Sequence, residues 1–236
     1  MTSNLLQVRD IDTYYGDSHI LQGVSLEVAR GEIIVLLGRH GAGKTTTLLS
    51  IMGIQPPLTG SICFNNEEIA GLPSWEIARR GIGLVPENRQ LFPKLTVAEN
   101  LEVGSKASQR GYNLETAYED FPELFDLRQR QAGQLSGGQQ QMLTIARTLM
   151  GNPQMLLMDE PTEGLAPLIV KRIVEIVKRL ASRGYTLLIT DQNITFAVEL
   201  AHRVYILDTG MIKWSGTMAK LRSNHEILEK YLAVSL

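Results

Sequence analysis

The segment from Gly38 to Thr45 contains the residue types best suited to chemistry in this chain. A glycine is followed, after four residues, by Gly-Lys-Thr, which is the spacing of a loop that holds nucleotide phosphates. The apolar run Ile33–Leu37 before it predicts a buried strand, and a helix is predicted over Lys44–Met52. A strand, this loop and a helix in direct succession form the context that phosphate binding requires.

Each residue type in this loop has its own role in holding phosphate. Gly41 and Gly43 let the backbone curl so that successive N–H groups point at phosphate oxygens, and the start of the helix adds its dipole. Lys44 supplies a positive charge for the outer phosphates, and Thr45 supplies a hydroxyl for Mg²⁺. We therefore predict a site for a nucleotide with Mg²⁺.

A second pair of chemically capable residues, Asp159 and Glu160, follows the apolar run Met155–Met158. A buried strand that ends here would deliver both carboxylates to the edge of the sheet where ligands collect. Asp159 can hold Mg²⁺, and Glu160 can polarise an attacking water as a general base. Alone, the pair would be a solvated strand end, but beside the phosphate loop it predicts nucleotide hydrolysis.

A third segment, Leu135–Gln139, precedes a predicted helix and contains two adjacent glycines. Ser136, Gly137 and Gly138 would present a hydroxyl and free N–H groups at a helix N-terminus, which is a second anion site. One chain does not need two phosphate cradles for one nucleotide. On these residues alone, a flexible turn that caps a helix is the better interpretation.

The elements that must position these residues alternate between strand and helix. Further strands are predicted at Ile82–Val85, Thr186–Thr190 and Arg203–Leu207, and the helix Pro167–Arg183 has apolar residues along one face. This alternation predicts an α/β core with a mainly parallel sheet. The beginning of the chain instead predicts antiparallel strands, with a hairpin at Asn65-Asn66.

The stretch 96–150 differs from the rest because it contains no convincing strand. Thr96 and Glu99 form a capping-box signature, and helices are predicted over Asn113–Asp120 and Gln139–Met150. We predict one domain over 1–236, with a nucleotide-binding core at 1–95 and 151–236 and an inserted helical subdomain at 96–150. A long irregular loop is the alternative, which a compact domain disfavours.

Composition excludes several classes of protein. The chain has 236 residues, 23 Lys+Arg against 25 Asp+Glu, and a net charge of −2, so bulk charge does not favour nucleic acid as a partner. Its longest aliphatic run is five residues, Ile33–Leu37, which is too short to cross a bilayer. A single cysteine, Cys63, excludes a disulfide framework.

The three motifs, in this order and spacing, resemble those of the nucleotide-binding subunit of an ABC transporter, over essentially the whole chain. The resemblance implies a P-loop NTPase fold, with an N-terminal antiparallel β subdomain and an inserted α-helical subdomain. It also implies that two subunits sandwich two ATP molecules, each bound to the phosphate loop of one subunit and the Leu135–Gln139 segment of the other. That segment is the family's signature motif.

The resemblance also implies roles for individual residues. Tyr15, just before Gly16, would stack on adenine. Nucleotide contacts would come from Tyr15, Gly38, Arg39, His40, Gly41, Ala42, Gly43, Lys44, Thr45, Thr46, Ser136, Gly137, Gly138 and Gln139. Thr45, Glu87 and Asp159 would organise Mg²⁺, while Glu160 would act as the base and Gln192 would contact the γ-phosphate. Glu87 and residues 88–93 would couple nucleotide state to membrane subunits.

Departures from the common family pattern narrow the resemblance. Glu87 stands where most members have glutamine, and Gln192 where most have histidine, and Glu163–Pro167 lacks the usual aspartate. These features resemble the ATPases of importers for branched-chain amino acids and related amides or urea. Asp191 instead resembles the lipopolysaccharide-exporting ATPases. Export of lipid or lipopolysaccharide therefore stays open, as does a nucleotide-sensing module with negligible hydrolysis.

The importer interpretation implies a set of partners. They are a second ATPase subunit, non-identical in the native complex although a homodimer could form in isolation, two membrane permease subunits and, indirectly, a substrate-binding protein. The expected location is peripheral, at the cytoplasmic face of the inner cell membrane.

Structural rather than catalytic roles are expected for three histidines, the cysteine and the two tryptophans. The histidines His19, His202 and His225 lack metal-ligand spacing and are expected at the surface or at sheet edges. Cys63 is expected to be a small core residue. Trp75 and Trp214 are expected to pack inside.

Overall fold

Two β-sheets organise the chain in the computed structural model, which describes residues 4–105 and 111–232. The strands are β1 (Asn4–Tyr15), β2 (Ser18–Ala29), β3 (Ile33–Leu37), β4 (Thr59–Phe64), β5 (Glu67–Glu68), β6 (Ile82–Val85), β7 (Met155–Asp159), β8 (Thr186–Asp191), β9 (Arg203–Asp208) and β10 (Met211–Thr217). One sheet has the order β2-β1-β4-β5 and the other β10-β9-β3-β8-β7-β6.

The larger sheet is parallel from β6 to β9, and only β10 runs antiparallel to its neighbour. Its central strand β3 is buried throughout, and its side chains alternate between two cores. Ile33, Val35 and Leu37 pack with helices on one face, whereas Ile34 and Leu36 pack between the sheets. Burial on both faces explains why β3 is a continuous apolar run rather than an alternating one.

The smaller sheet is antiparallel and begins with the long hairpin of β1 and β2. The predicted turn at Asn65-Asn66 joins β4 to β5, and both asparagines have positive φ. This conformation is accessible to asparagine with little strain, so the local sequence and the observed turn agree.

Helices fill the connections. They are α1 (Lys44–Ile51), α2 (Ser74–Arg80), α3 (Val97–Gly104), α4 (Leu114–Asp120), α5 (Pro122–Asp126), α6 (Gly137–Met150), α7 (Pro167–Ser182), α8 (Ile194–Leu200), α9 (Met218–Arg222) and α10 (His225–Ile227), which continues as a π-helical turn over Leu228–Leu232. Four of them, α3 to α6, lie between β6 and β7. We call them the helical group; residues 106–110 of the predicted subdomain lie outside the described part.

The predicted fold class, an α/β P-loop core with an antiparallel β subdomain and inserted helices, is confirmed. The predicted capping box at Thr96 and Glu99 is also present. Two packing expectations are wrong. Cys63 is only half-buried, because its place in β4 directs its thiol toward Glu68 at the sheet surface. Trp75 is 58% exposed, since it sits in the first turn of the short helix α2.

None of the helices within the described ranges combines the length and the apolar character needed to cross a membrane.

Candidate nucleotide-binding and hydrolytic site

The phosphate loop joins the end of β3 to α1, and its shape depends on two glycines. Gly43 has φ of 108° at the N-terminus of α1, a conformation that side chains other than glycine rarely adopt. Gly38 lies against β9, where an added Cβ would stand 2.4 Å from the carbonyl oxygen of Leu207. The close approach of two neighbouring strands therefore requires glycine at the first motif position.

Lys44 is 3% exposed and its ammonium group has three partners inside the chain. Its Nζ donates to the carbonyl oxygens of Gly38 and Arg39, both at 2.9 Å. It also lies 3.0 Å from Oε1 of Glu160, whose side chain is 6% exposed. The lysine predicted to hold phosphate and the glutamate predicted to activate water thus form a buried ion pair in this structure.

Asp159 ends β7 and faces two hydroxyl groups. Its Oδ1 accepts hydrogen bonds from Thr45 at 3.1 Å and from Thr190 at 2.7 Å. Burial raises the pKa of Asp159, while these two hydrogen bonds oppose the shift. Thr45 and Asp159, which are 114 residues apart in the sequence, therefore meet as predicted for a Mg²⁺ site.

Thr190 is a site residue that the sequence analysis missed. It lies opposite Asp159 in the parallel pairing of β7 with β8. Besides donating to Asp159, its hydroxyl accepts the backbone N–H of Glu160 at 3.1 Å. A signal for Thr190 was present in the sequence. It is a polar residue near the carboxyl end of β8, and ligands collect at the carboxyl ends of strands in a parallel sheet.

Glu160 takes an unusual backbone conformation directly after β7. Its φ is 39°, in the left-handed region where non-glycine residues mark turns or functional sites. Among the described residues, no group hydrogen bonds to its buried Oε2. The nearby Glu163 carboxyl can share a hydrogen bond with Glu160 when protonated, and this is the main cause of the raised pKa of Glu163.

A cavity of about 290 Å³ lies between the phosphate loop and the carboxylates of Glu87 and Glu160. The predicted site residues that line it are Tyr15, His40, Gly41, Gly43, Lys44, Thr45, Thr46, Glu87 and Glu160. Tyr15 is 45% exposed at its edge, in a position to receive a planar base. Glu87 enters from the loop after β6, which is the edge strand of the larger sheet.

Other predicted residues stand next to this cavity without lining it. Gly38 and Ala42 are buried beneath the loop. Arg39 contributes its carbonyl oxygen to Lys44, but its guanidinium points away, toward the carbonyl oxygen of Lys230 at 3.4 Å. The sequence motif predicted that Arg39 contributes to the site, but it did not indicate whether its backbone or its side chain does so.

Gln192 is exposed between two anchored neighbours. Asp191 is buried and accepts from the Thr162 hydroxyl at 2.8 Å and from the Asn193 N–H at 2.7 Å. The Asn193 side chain in turn caps α8. Burial is the main cause that raises the pKa of Asp191. These anchors fix the turn directly after β8, two residues beyond Thr190, which pairs with Asp159. Gln192 does not line the nucleotide cavity.

The Ser136–Gln139 segment lies away from this cavity, at the N-terminus of α6. Ser136 and Gln139 form a capping box, in which Gln139 Oε1 accepts the Ser136 N–H at 2.9 Å. Ser136, Gly138 and Gln139 line a separate cavity of about 520 Å³ beside the first turn of α7. Within one chain, the structure therefore does not bring this segment to the phosphate loop.

Comparison with known proteins gives consistent matches. Residues 21–163 match the family model described as ABC transporter. The chain is 42% identical over 231 residues to the high-affinity branched-chain amino acid transport ATP-binding protein BraG of Pseudomonas aeruginosa, covering 97% of this chain and 99% of BraG. It is 34% identical over 233 residues to the lipopolysaccharide export system ATP-binding protein LptB of Escherichia coli, covering 96% of each.

Solved structures show the same fold. A nucleotide-free ATP-binding cassette from an ABC transporter has a TM-score of 0.85 at 27% identity, covering 99% of this chain and 100% of that one. A dimeric ATP-binding cassette in a post-hydrolysis state, bound to ADP and Pi, has a TM-score of 0.77 at 26% identity, covering 90% of this chain and 98% of that one.

Proposed function

Because the chain belongs to the ABC transporter family and is one of its ATP-hydrolysing subunits, we propose that it energises uptake of branched-chain amino acids or a related small polar solute. The solute class is carried by one observation, the 42% identity to BraG over nearly the full length of both chains. LptB covers as much of the chain at lower identity.

Hydrolysis is supported by the convergence of Lys44, Thr45 and Glu160 on one small cavity, with Asp159 hydrogen-bonded to Thr45 beside it. An incoming triphosphate offers Lys44 a stronger anionic partner than the single carboxylate of Glu160. When Lys44 turns to phosphate, Glu160 loses its ion-pair partner and is free to act as general base toward an attacking water. Gln192 has donor N–H groups for the γ-phosphate but no proton that titrates near neutral pH.

The donors present fit Mg²⁺ as the accompanying ion. Thr45 Oγ1 and Asp159 are hard oxygen ligands that already touch each other, and Glu87 opens on the same cavity. The described residues contain no cluster of three or more histidine, cysteine, aspartate or glutamate side chains that could hold a metal by itself. This suits Mg²⁺, which binds through few carboxylates together with phosphate and water. The ion would neutralise phosphate charge.

A second ATPase subunit is the first partner that we propose. The Ser136–Gln139 segment presents an anion-binding helix N-terminus but lines a cavity separate from the phosphate loop, so its nucleotide would come from another subunit. The dimeric cassette bound to ADP and Pi supports such pairing. In the native complex we expect this partner to be non-identical.

Membrane permease subunits are the second set of partners. A groove of about 560 Å³ is lined in part by Ile54, Trp75, Phe92 and Val103, all of which are exposed large apolar side chains. Such a patch on a soluble surface marks a site of protein contact. An element of one permease subunit would fill it, and the chain would then lie peripherally at the cytoplasmic face of the inner membrane. A substrate-binding protein would complete the assembly.

The loop after β6 connects this groove with the nucleotide cavity. Glu87 lines the nucleotide cavity, whereas Gln90 and Phe92, three and five residues later, line the groove. One short segment thus contacts both sites. This supports the proposal that Glu87 and residues 88–93 couple nucleotide state to the permease subunits.

The experiment is affinity purification of the tagged chain from membranes, with identification of the bound subunits. The purified complex is then reconstituted, and ATP turnover is measured with and without branched-chain amino acids and the co-purified binding protein. We expect solute-dependent turnover that is lost in Glu160→Gln. Co-purification of lipopolysaccharide-transport components, or turnover unaffected by amino acids and related amides, would refute the importer assignment.

Asp191 does not favour export over import. It is 2% exposed and its carboxylate is occupied by the Thr162 hydroxyl and the Asn193 N–H. Asp191 holds the turn that presents Gln192. Local folding therefore explains why an aspartate occupies this position. The sequence feature that suggested a lipopolysaccharide exporter therefore has a structural explanation without reference to cargo.

A further inference from the structure

A buried carboxylate outside the nucleotide site, Asp120, connects the helical group to the core. Asp120 ends α4, and its side chain is 2% exposed. Its Oδ2 accepts from Arg183 Nη1 at 2.6 Å and from the Tyr112 hydroxyl at 3.0 Å, and its Oδ1 accepts from Arg179 Nη1 at 3.2 Å. Both oxygens of the carboxylate therefore accept hydrogen bonds.

The arginines come from α7 and the residue that follows it. Arg172 and Arg179 are seven residues apart on one face of α7, and Arg183 is the C-cap directly after its last residue. Arg172 donates to the backbone carbonyl oxygen of Asp120 at 3.2 Å and pairs with Glu123 at 3.5 Å. The short segment from Asp120 to Glu123 is thus held at three points along α7.

The same helix also touches the Ser136–Gln139 segment. Ile169, in the first turn of α7, packs so closely on Gly138 that an added Cβ there would lie 2.9 Å from Ile169 Cγ1. Furthermore, α7 begins at Pro167, shortly after Glu160. One helix therefore links the catalytic turn, the start of α6 and the Asp120 network.

Charged hydrogen bonds restrict orientation more than apolar packing does. A hydrogen bond weakens steeply when its angle is lost. Asp120 is buried, whereas Arg179 and Arg183 are more than a third exposed, so the carboxylate keeps its charged partners only while α4 lies where these arginines can reach it. Burial, followed by the charge of Asp120, raises the pKa of Tyr112 far above its ordinary value, so Tyr112 stays protonated and keeps donating. The network thus connects the helical group to the core through directional hydrogen bonds.

We propose that Asp120 is a positioning residue, which with Arg179 and Arg183 sets the orientation of the Ser136–Gln139 segment relative to the core. The proposal rests on the proposed function in one respect, because this segment meets a nucleotide only when two subunits pair. Asp120 itself touches neither nucleotide nor reacting atoms.

The test uses two variants of the full chain. Asp120→Asn removes the charge, and the quadruple variant Asp120→Leu, Tyr112→Phe, Arg179→Met, Arg183→Met replaces the carboxylate and the three side chains that donate to it with apolar ones, so that no buried polar group loses its partner. If the first variant does not fold, the second still carries the test. Glu199→Gln is the matched control, because it removes a carboxylate that pairs with Lys178 of α7 at the exposed surface.

The direct readout is a spin-label distance within one chain. Labels are attached to cysteines introduced at Gln134, just before the Ser136–Gln139 segment, and at Lys220 on α9, in a Cys63→Ser background; both sites are exposed. We expect a broadened or shifted distance distribution in both variants, with ADP affinity within about twofold of the parent, because the network shares no contact with the nucleotide cavity. An unchanged distribution in a folded variant would overturn the proposal.

A second readout measures the consequence for pairing. In a Glu160→Gln background, light scattering follows association as Mg-ATP is added. We expect the Asp120 variants to need at least about tenfold more ATP than their parent, which corresponds to ~1.4 kcal/mol; association at the parent's ATP concentration would also overturn the proposal. A parent that does not associate contradicts the proposed function instead, and the spin-label distances still decide the role of Asp120.

Discussion

Lys44 Nζ lies 3.0 Å from Glu160 Oε1, and both side chains are almost completely buried. The residue expected to hold phosphate and the residue expected to activate water therefore neutralise each other in this structure. A nucleotide must compete with Glu160 for Lys44, and once it succeeds, the carboxylate is freed. Binding and activation of the base are thus linked through one contact.

The first prediction concerns ADP affinity, which can be measured without turnover. Glu160→Gln replaces a charged partner of Lys44 with a neutral one, so less free energy is needed to redirect Lys44 to phosphate. We expect ADP to bind several-fold tighter, up to roughly tenfold, or ~1.4 kcal/mol. Isothermal titration calorimetry of the isolated chain checks this.

Glu163→Gln is the control for this effect. It also removes a negative charge from the same turn, but Glu163 is exposed and forms no ion pair with Lys44 among the described contacts. Its gain in ADP affinity should be smaller. Equal gains in both variants would mean that general electrostatics, and not the ion pair, sets the affinity.

The second prediction concerns Asp191 and pH. Because burial raises the folded-state pKa of Asp191 above its ordinary value of 3.8, its contribution to stability is complete below pH 3.8 and is lost as pH rises through the folded pKa. Asp191→Asn avoids this loss. We expect Asp191→Asn to melt a few degrees higher at neutral pH, the change that about 1 kcal/mol produces in a chain of this size.

The Tm of the Asp191→Asn variant and that of the unsubstituted chain are compared without nucleotide. Their difference should shrink as the pH falls toward 3.8. Asp126→Asn, at an exposed position, should show no comparable pH dependence. If the Asp191→Asn variant is less stable at every pH, the hydrogen bonds of the carboxylate outweigh its burial.

The third prediction concerns Gln192. Loss of one donor to a charged phosphate costs up to ~3 kcal/mol, so Gln192→Ala should slow ATP hydrolysis by at most about a hundredfold. Glu160→Gln removes the base and should be slower still. The measurement is made in the assembled complex with the partner's own catalytic glutamate disabled.

Either extreme would change this assignment. A Gln192→Ala variant as inactive as Glu160→Gln would make Gln192 more than a positioning donor. A variant with unchanged turnover would show that Gln192 does not contact the phosphate.

The fourth prediction concerns the apolar groove. Trp75→Ala should reduce co-purification of the permease subunits, because Trp75 is a large exposed aromatic side chain in the groove and such residues often dominate binding energy at interfaces. ADP affinity of the isolated chain should not change. Leu58→Ala is the control, since Leu58 is 74% exposed but lies outside the groove; equal losses in both variants would argue against docking there.

The sequence by itself determined the elements whose signals are local. The phosphate loop was readable because strand, glycines, lysine and helix follow one another within about 20 residues, and their conformations depend on neighbours in the chain. Likewise, the capping box at Thr96 is set by residues three positions apart. Alternation of apolar strands with helices was enough to indicate a parallel sheet.

Only the tertiary structure decided which distant residues meet. Lys44 and Glu160 were both expected in the site, but their ion pair depends on how β3 and β7 are placed on either side of β8. Thr190 acquires its role from strand register, and Asp120 from the packing of α4 against α7. Such contacts join residues tens of positions apart. Their geometry depends on how all the elements pack together in the core, and a local sequence pattern carries no information about that packing.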